Sequence, residues 1–261
     1  MTKNKDKSTR IREFWDSRAS LNEKAGTRDL ILNRLEIDII MKYIHDGMSV
    51  LDVGCGNGIT AIEIAKQYAV NVTGFDFSPD MVKQAESRAQ KEKLPGRILF
   101  LQGDILDMPS FHQKFDVIYS KRALINLSDW ETQKKAIISI SGLLSDNGAY
   151  LMCENSQDGL DAINDLREQL ELPLIEPPWH NRYFRDAELE GLSVSNLVLE
   201  KIEYFTSTYY FLSRVVNAWL SYKEGKEPRY DAPVNQLALS LPSIGNHGQT
   251  RLWVWRKIDG T

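Results

Sequence analysis

The sequence predicts an α/β protein with a doubly wound, mainly parallel sheet that carries helices on both faces. Between residues 49 and 154, short apolar runs alternate with amphipathic stretches of helical periodicity. Some of the apolar runs, such as 117–119 and 150–152, are continuous, which is typical of strands buried on both faces. Strands that alternate with helices are joined by right-handed crossovers and form a parallel sheet.

The individual elements follow from this periodicity. The apolar runs predict strands over 49–53, 70–75, 98–102, 115–120 and 149–154. The stretches with helical spacing predict helices over 60–68, 79–91 and 131–144. Residues 1–46 form an N-terminal helical cap with one helical pattern from Thr9 and another over about 29–44.

The alternation stops after Glu154. Residues 155–196 are predicted to be an insertion, and an insertion of this length is typical of a lid over a binding site. Strands over 197–204 and 252–258 complete a seven-stranded sheet, with a helix over 209–222 between them. The turn residues at 245–248 favour an antiparallel last strand, so residues 1–261 form one domain with one sheet.

Composition excludes several classes of protein. Thirty-two Lys and Arg against 36 Asp and Glu give a net charge of −4, so we expect no nucleic-acid partner. Two cysteines and four scattered histidines provide no metal-ligand spacing, so no metal is expected. No apolar run approaches the ~20 residues that span a bilayer. The polar N-terminus predicts no secretory leader, and we therefore expect a cytoplasmic protein.

The sharpest local signal is a glycine-rich loop. The apolar run 50–53 leads directly into three alternate glycines, Gly54, Gly56 and Gly58, and then into a helical pattern. Residues without a Cβ let the backbone of such a turn come close to a bound ligand. The loop alone is compatible with a dinucleotide, whose pyrophosphate would lie at the helix N-terminus.

Three carboxylates change this interpretation. Asp52 precedes the glycine loop, and Asp76 and Asp104 follow the next two strands. The carboxyl ends of neighbouring parallel strands face one crevice, so these acids are expected to lie close together. They favour a ligand with hydroxyl and ammonium groups over a diphosphate, and the G-x-G-x-G spacing differs from the dinucleotide pattern. An adenosine with a cationic amino-acid tail fits this description.

At these residues the chain resembles the class I S-adenosylmethionine-dependent methyltransferases, over roughly residues 50–154. The resemblance implies that the loop 52–58 surrounds the methionine part of the cofactor and that Asp76 binds the ribose hydroxyls. It also implies that Phe77 and Met81 pack on the adenine, with Asp104 at its amino group. An N-terminal helix closes over the cofactor in related methyltransferases, so Arg18 is expected to bind the cofactor carboxylate. The predicted cofactor residues are Arg18, Asp52, Gly54, Cys55, Gly56, Asp76, Phe77, Met81, Gly103, Asp104, Ile105 and Ser120.

The methyl acceptor is predicted to bind beside the insertion. The residues predicted to contact it are Trp179, Asn181 and Tyr183, together with Arg122 from the turn after the fourth strand. His180 or Glu154 is the predicted general base, because either could remove a proton from an acceptor oxygen or nitrogen.

The predicted reaction is methyl transfer to an oxygen or nitrogen of a small molecule or glycan. The alternatives are a non-catalytic module that binds S-adenosylmethionine and an NAD-dependent oxidoreductase. The sequence leaves the oligomeric state open.

Overall fold

The computed structural model describes residues 2–258 of the 261-residue chain, and the side chains of residues 7–21 and 25–258. Within this part, seven strands form one sheet in the order β3-β2-β1-β4-β5-β7-β6. The strands are β1 (Ser49–Val53), β2 (Asn71–Asp76), β3 (Arg97–Gln102), β4 (Phe115–Lys121), β5 (Leu144–Asn155), β6 (Leu197–Glu203) and β7 (Thr250–Lys257). Strands β1 to β5 pair in parallel, while β7 is antiparallel to both β5 and β6. The predicted fold class and the antiparallel last strand are thus confirmed.

Helices cover both faces and the carboxyl edge of this sheet. They are α1 (Thr2–Arg18), α2 (Leu30–Met41), α3 (Ile59–Gln67), α4 (Pro79–Ala89), α5 (Trp130–Ser141), α6 (Gln157–Gln169), α7 (Asp186–Glu190), α8 (Ser207–Tyr210), α9 (Asn217–Lys223) and α10 (Pro233–Gln236). A π-helical segment, Phe211–Val216, joins α8 to α9. None of the helices within residues 2–258 is long and apolar enough to cross a membrane.

Each central strand contributes to two apolar cores because successive side chains point to opposite faces of a sheet. Val50 packs into one core with α2 and α3, while its neighbour Leu51 packs into the other core with α5. In β7, Trp253 and Trp255 share the α5 side. The continuous apolar runs of the sequence are therefore explained by burial on both faces.

The order of the strands creates a crevice. The chain places β2 and β3 on one side of β1 and then returns to place β4 on the other side. At such a switch point the loops after neighbouring strands diverge and leave an opening at the carboxyl ends of the strands. In register, Val53 of β1 pairs with Phe75 of β2 and with Ser120 of β4. The loops that follow these three residues therefore meet at one place.

The start of the first helix differs from the expectation, and a second long connection stands out. Helix α1 begins at Thr2 rather than at Thr9. The connection between β6 and β7, residues 204–249, contains α8 to α10 and is as long as the insertion predicted after the fifth strand.

Candidate functional site

A cavity of about 310 Å³ opens at the switch point of the sheet. Its walls come from the glycine loop, from the loops after β2, β3 and β4, and from the N-terminal cap. The predicted residues that line it are Gly54, Cys55, Gly56, Asp76, Phe77, Met81, Asp104, Ile105 and Arg122. The structure thus brings nine of the predicted site residues to one cavity.

The glycine loop presents backbone without side chains to this cavity at Gly54 and Gly56. Gly54 and Gly58 have φ angles of 73° and 77°, a region that side chains rarely adopt. A Cβ on Gly54 would lie 2.6 Å from the Cβ of Ala123, and one on Gly58 would lie 2.7 Å from the ring of Phe100. Glycine is therefore required at both positions for the turn and for its close packing.

Asp76 lies at the carboxyl end of β2 and faces the cavity. Its carboxylate accepts hydrogen bonds from the N–H of Gly56 at 2.8 Å and from the N–H of Ser78 at 2.9 Å. Burial raises the pKa of Asp76 to about 6, although these N–H groups act in the opposite direction. A carboxylate has about four lone-pair positions, so Asp76 keeps capacity to accept hydrogen bonds from hydroxyl groups of a ligand. This donor pattern fits a ribose.

Three further predicted cofactor residues lie beneath the cavity rather than among its described lining residues. Asp52 is buried and accepts a hydrogen bond from the Tyr119 hydroxyl at 2.6 Å. Burial raises the pKa of Asp52 to about 7. The N–H of Gly103 donates to the carbonyl of Asp76, and the Ser120 hydroxyl lies 2.9 Å from that of Tyr150.

Arg18 also lies outside the described cavity lining. Its Nε donates to the carbonyl of Ala25 at 2.6 Å, and its guanidinium lies over the ring of Phe14. Ala25 itself lines the cavity, as does Trp15 of α1. The structure therefore places Arg18 where it holds the turn between α1 and α2.

Glu154 has no side-chain atom in the described lining of the cavity. It is fully buried, and its Oε1 accepts the N–H groups of Ala123 and Leu124 at 3.1 and 3.0 Å. Its Oε2 accepts the N–H of Ile125 at 3.3 Å. Burial raises the pKa of Glu154 to about 7. The carboxylate is thus placed where it organises the turn after β4.

His180 belongs to an aromatic cluster beneath the cap. Its ring centroid lies 4.6 Å from that of Phe14 and 5.8 Å from that of Trp15. Burial, with smaller effects from Arg18 and Lys7, lowers the pKa of His180 to about 4. His180 is therefore neutral at pH 7 and packs behind the cavity wall.

The other insertion residues predicted to bind the acceptor lie near this cluster or in the core. Trp179 is 51% exposed and contacts Phe14 edge-on, with centroids 6.1 Å apart. Asn181 donates its N–H to the carbonyl of Pro178, and Tyr183 packs in the core on the α5 side. Within the described residues, no part of 155–196 lines the cavity. The insertion instead supports the cap from outside.

Sequence reasoning predicted Arg122 at the site but gave no role to its neighbour Lys121 and missed their shared partner Glu36. Lys121, the last residue of β4, donates from Nζ to Asn33 Oδ1 at 2.5 Å and lies 3.7 Å from Glu36 Oε2. Arg122 Nε lies 3.1 Å from Glu36 Oε1, and Arg122 has a φ of 53°. Glu36 is fully buried on α2, and a carboxylate within an otherwise apolar helical stripe is a signal that could have indicated the pair.

Comparisons with known proteins found similar sequences and similar folds. The sequence profile of a methyltransferase domain matches residues 44–180, more than half of the chain. A 27-O-demethylrifamycin SV methyltransferase from Amycolatopsis mediterranei is 33% identical over 124 residues, which are 47% of this chain and 44% of that protein. An ajmaline N-methyltransferase from Rauvolfia serpentina is 34% identical over 93 residues, 36% of this chain and 32% of that protein. The chain thus spans less than half the length of these two relatives.

Solved structures show the same fold. A magnesium protoporphyrin IX methyltransferase from Synechocystis, crystallised with bound S-adenosylhomocysteine, aligns with a TM-score of 0.56 at 15% identity, over 86% of this chain and 83% of that one. The profile match spans the glycine loop, the strand-end carboxylates and the turn after β4. The chain belongs to the family of class I S-adenosylmethionine-dependent methyltransferases.

Proposed function

We propose that this protein transfers a methyl group from S-adenosylmethionine to an oxygen or nitrogen of a small molecule. The observation that carries the proposal is the meeting of the bare glycine backbone with Asp76, Met81 and Asp104 in one cavity. A ligand with ribose hydroxyls and an adenine finds acceptors and an apolar surface there. The profile match supports the same cofactor.

Each cavity residue has a proposed task in holding this cofactor. Asp76 accepts the two ribose hydroxyls with its remaining lone pairs. Phe77, Met81 and Ile105 pack on the adenine, and the Asp104 carboxylate accepts a hydrogen bond from the adenine amino group. The backbone of Gly54–Gly56 approaches the methionine part, and the buried Asp52 favours the nearby ammonium group.

The cap orients the cofactor and excludes water. Trp15 and Ile11 of α1 line the cavity, and Asp16 accepts a hydrogen bond from the Ser78 hydroxyl next to Asp76. Arg18 holds the adjacent turn through Ala25. The bound cofactor supplies a methyl group on a positively charged sulfur, so that the protein has chiefly to align the acceptor and keep water out.

The acceptor is proposed to bind beside the turn after β4. Asn33, Asn126 and Thr132 line the cavity near this turn and offer amide and hydroxyl groups, while Leu127 adds apolar surface. This mixture suits a compact polar molecule. The names of the two relatives, a 27-O-demethylrifamycin SV methyltransferase and an ajmaline N-methyltransferase, support a small-molecule acceptor.

Calorimetry tests the cofactor site. We expect S-adenosylmethionine and S-adenosylhomocysteine to bind the wild-type protein and NAD to give no heat. Asp76→Ala removes acceptors for two hydroxyls and should weaken S-adenosylhomocysteine binding about tenfold. Asp80→Ala, which removes a half-exposed carboxylate of α4, is the matched control and should bind normally. Binding of NAD in preference to S-adenosylhomocysteine would overturn the proposed cofactor.

Methyl transfer is tested with S-adenosylmethionine labelled on its methyl carbon and a panel of phenols, alcohols, sugars and amines. We expect label in an acceptor together with an equal amount of S-adenosylhomocysteine. A protein that binds the cofactor with normal affinity but transfers no label to any class would be a binding module. Label in the sugars of this panel would show that glycan acceptors belong to the substrate class, and its absence there would exclude them.

A further inference from the structure

The titratable groups that line the cavity are unequally suited to receive a proton. The described ones are Lys7, Cys55, Asp76, Asp104, Lys121 and Arg122. Asp76 and Asp104 lie at the strand ends proposed to hold the nucleoside, and Arg122 does not release its proton in proteins. Burial raises the pKa of the Cys55 thiol far above its ordinary value, so it stays protonated. Of the two lysines, Lys7 lies on helix α1 of the cap. Lys121 is the last residue of β4 and is therefore the lysine that the sheet itself carries to the cavity.

Lys121 is positioned at the right end of the site. It follows Ser120, which pairs with Val53, the residue directly before Gly54. Its side chain is only 14% exposed and is directed at Asn33 Oδ1, 2.5 Å away. Both Lys121 and Asn33 line the cavity. Lys121 therefore borders the same cavity as the glycine loop, on the side of the wall proposed to hold the acceptor.

The charges around Lys121 are unbalanced. Two cations, Lys121 and Arg122, share one buried carboxylate, Glu36. Arg122 holds the shorter contact, 3.1 Å against 3.7 Å for Lys121. A buried group of two cations and one anion is stabilised when one cation loses its proton, and only the lysine can do so.

All groups that face Lys121 enter this balance. Burial lowers the pKa of Lys121 below the ordinary 10.5, and the Arg122 guanidinium acts in the same direction. Glu36 on α2, Cys153 on β5 and Asp52 on β1 act in the opposite direction. Burial and Arg122 outweigh them, so the net direction is downward.

We propose that Lys121, which lines the cavity beside the Glu36–Arg122 pair, removes the proton from the acceptor's nucleophilic oxygen or nitrogen. The proposal rests on the proposed methyl transfer. The acceptor's proton passes to Lys121 Nζ while its oxygen or nitrogen bonds to the methyl carbon and the carbon–sulfur bond breaks. The electron pair of that bond stays on sulfur, which becomes a neutral thioether. The resulting ammonium is stabilised by Glu36 at 3.7 Å and by Asn33 Oδ1.

The first test needs no acceptor. In protein labelled with ¹³C at the lysine side-chain carbons, the signal that disappears in Lys121→Arg reports Lys121. We expect its midpoint below the ordinary 10.5 and low enough that a measurable fraction of Lys121 is the neutral amine at the pH of the methyl-transfer assay. A Lys121 that remains fully an ammonium at the pH of the methyl-transfer assay would overturn the proposal, whatever the acceptor.

The second test separates proton removal from simple attraction of an anion. Lys121→Arg keeps the positive charge but cannot accept a proton, so kcat should fall about 100-fold while S-adenosylhomocysteine binds within about threefold of wild type. Lys121→Ala should be equally slow and should recover activity when methylamine is added. Lys135→Met should retain wild-type kcat.

The outcomes distinguish the two proposals. If Lys121→Arg keeps most of its kcat, the lysine acts only as a charge and the base assignment fails, while methyl transfer by the wild type stands. If the wild type binds no S-adenosylhomocysteine and labels no acceptor, the proposed function itself fails.

Discussion

At the scale of single residues, Gly58 combines two separate constraints. Its φ of 77° strains any side chain, and its Cβ would also lie 2.7 Å from Phe100 and 2.8 Å from Ala85. Gly47 has a similar φ of 87° but nothing within 4 Å of its Cβ position. The pair therefore separates backbone strain from crowding.

We expect Gly58→Ala to lower the free energy of unfolding by about 3 kcal/mol and Gly47→Ala by about 1 kcal/mol. Urea unfolding of the two variants measures the difference. Equal losses would show that the contact with Phe100 relaxes freely and that the strain alone matters.

Asp52 makes the stability of the ligand-free protein depend on pH. Its pKa is about 7 in the folded protein against an ordinary 3.8, so the folded state binds the proton more tightly than the unfolded state. The resulting stability is complete below pH 3.8 and is lost as pH rises through 7. Between pH 5 and pH 8 the wild type should therefore lose stability that Asp52→Asn does not lose. We expect the fall in the free energy of unfolding over this range to be about 2 kcal/mol larger in the wild type than in Asp52→Asn. Asp80→Asn should decline as wild type does, and an identical slope in Asp52→Asn would contradict the assignment.

At the scale of elements, the turn after β4 depends on Glu154. The carboxylate receives three consecutive backbone N–H groups, from Ala123 to Ile125, and the turn carries Arg122 and Ala123 at the cavity. An amide at this position places a donor against donors in a buried site.

We therefore expect Glu154→Gln to lower the free energy of unfolding by about 2 kcal/mol and to weaken S-adenosylhomocysteine binding together with it. Glu168→Gln, on the exposed side of α6, is the matched control. A Glu154→Gln protein with normal stability and normal cofactor affinity but a greatly reduced kcat would favour the base role that the sequence suggested.

Helix α1 is held over the cavity by the insertion. Trp179 contacts Phe14 and lies under the guanidinium of Arg10, both on α1. Trp179→Ala should speed hydrogen exchange in α1 and weaken S-adenosylhomocysteine binding about two- to tenfold, as expected for loss of aromatic contacts. Trp219→Ala, which removes another tryptophan with a lysine over its ring, should leave α1 unchanged. Unchanged exchange in both variants would show that the insertion does not hold the cap.

At the scale of the whole molecule, one sheet joins every part of the chain that the structure describes. The insertion and the β6–β7 connection both return to strands of this sheet, and both cores share strands β1 and β7. We expect a single cooperative unfolding transition. S-adenosylhomocysteine at 100 times its dissociation constant should raise the free energy of unfolding by about 2.7 kcal/mol. Two transitions, with only one responding to the ligand, would indicate separate domains.

The sequence alone was sufficient for the fold class, the seven strands and the glycine loop, because these depend on local periodicity and on residues adjacent in the chain. It also predicted that Asp76 and Asp104, at or just after the ends of their strands, lie at one cavity. Parallel strands carry such residues to a common edge regardless of what lies between them. Periodicity likewise explains Trp253 and Trp255, which pack as alternation predicts.

Only the tertiary structure decided what each polar side chain faces. Glu154 lies at the carboxyl end of a strand just as Asp76 does, yet a turn 30 residues away in sequence occupies its carboxylate. His180 looks like a base in sequence, and the structure packs its ring against α1, outside the described lining of the cavity. Lys121 lies in a buried charge cluster because it packs beside Glu36, a residue 85 positions earlier in the sequence. Contacts of this kind depend on how distant segments pack, and no local pattern encodes that packing.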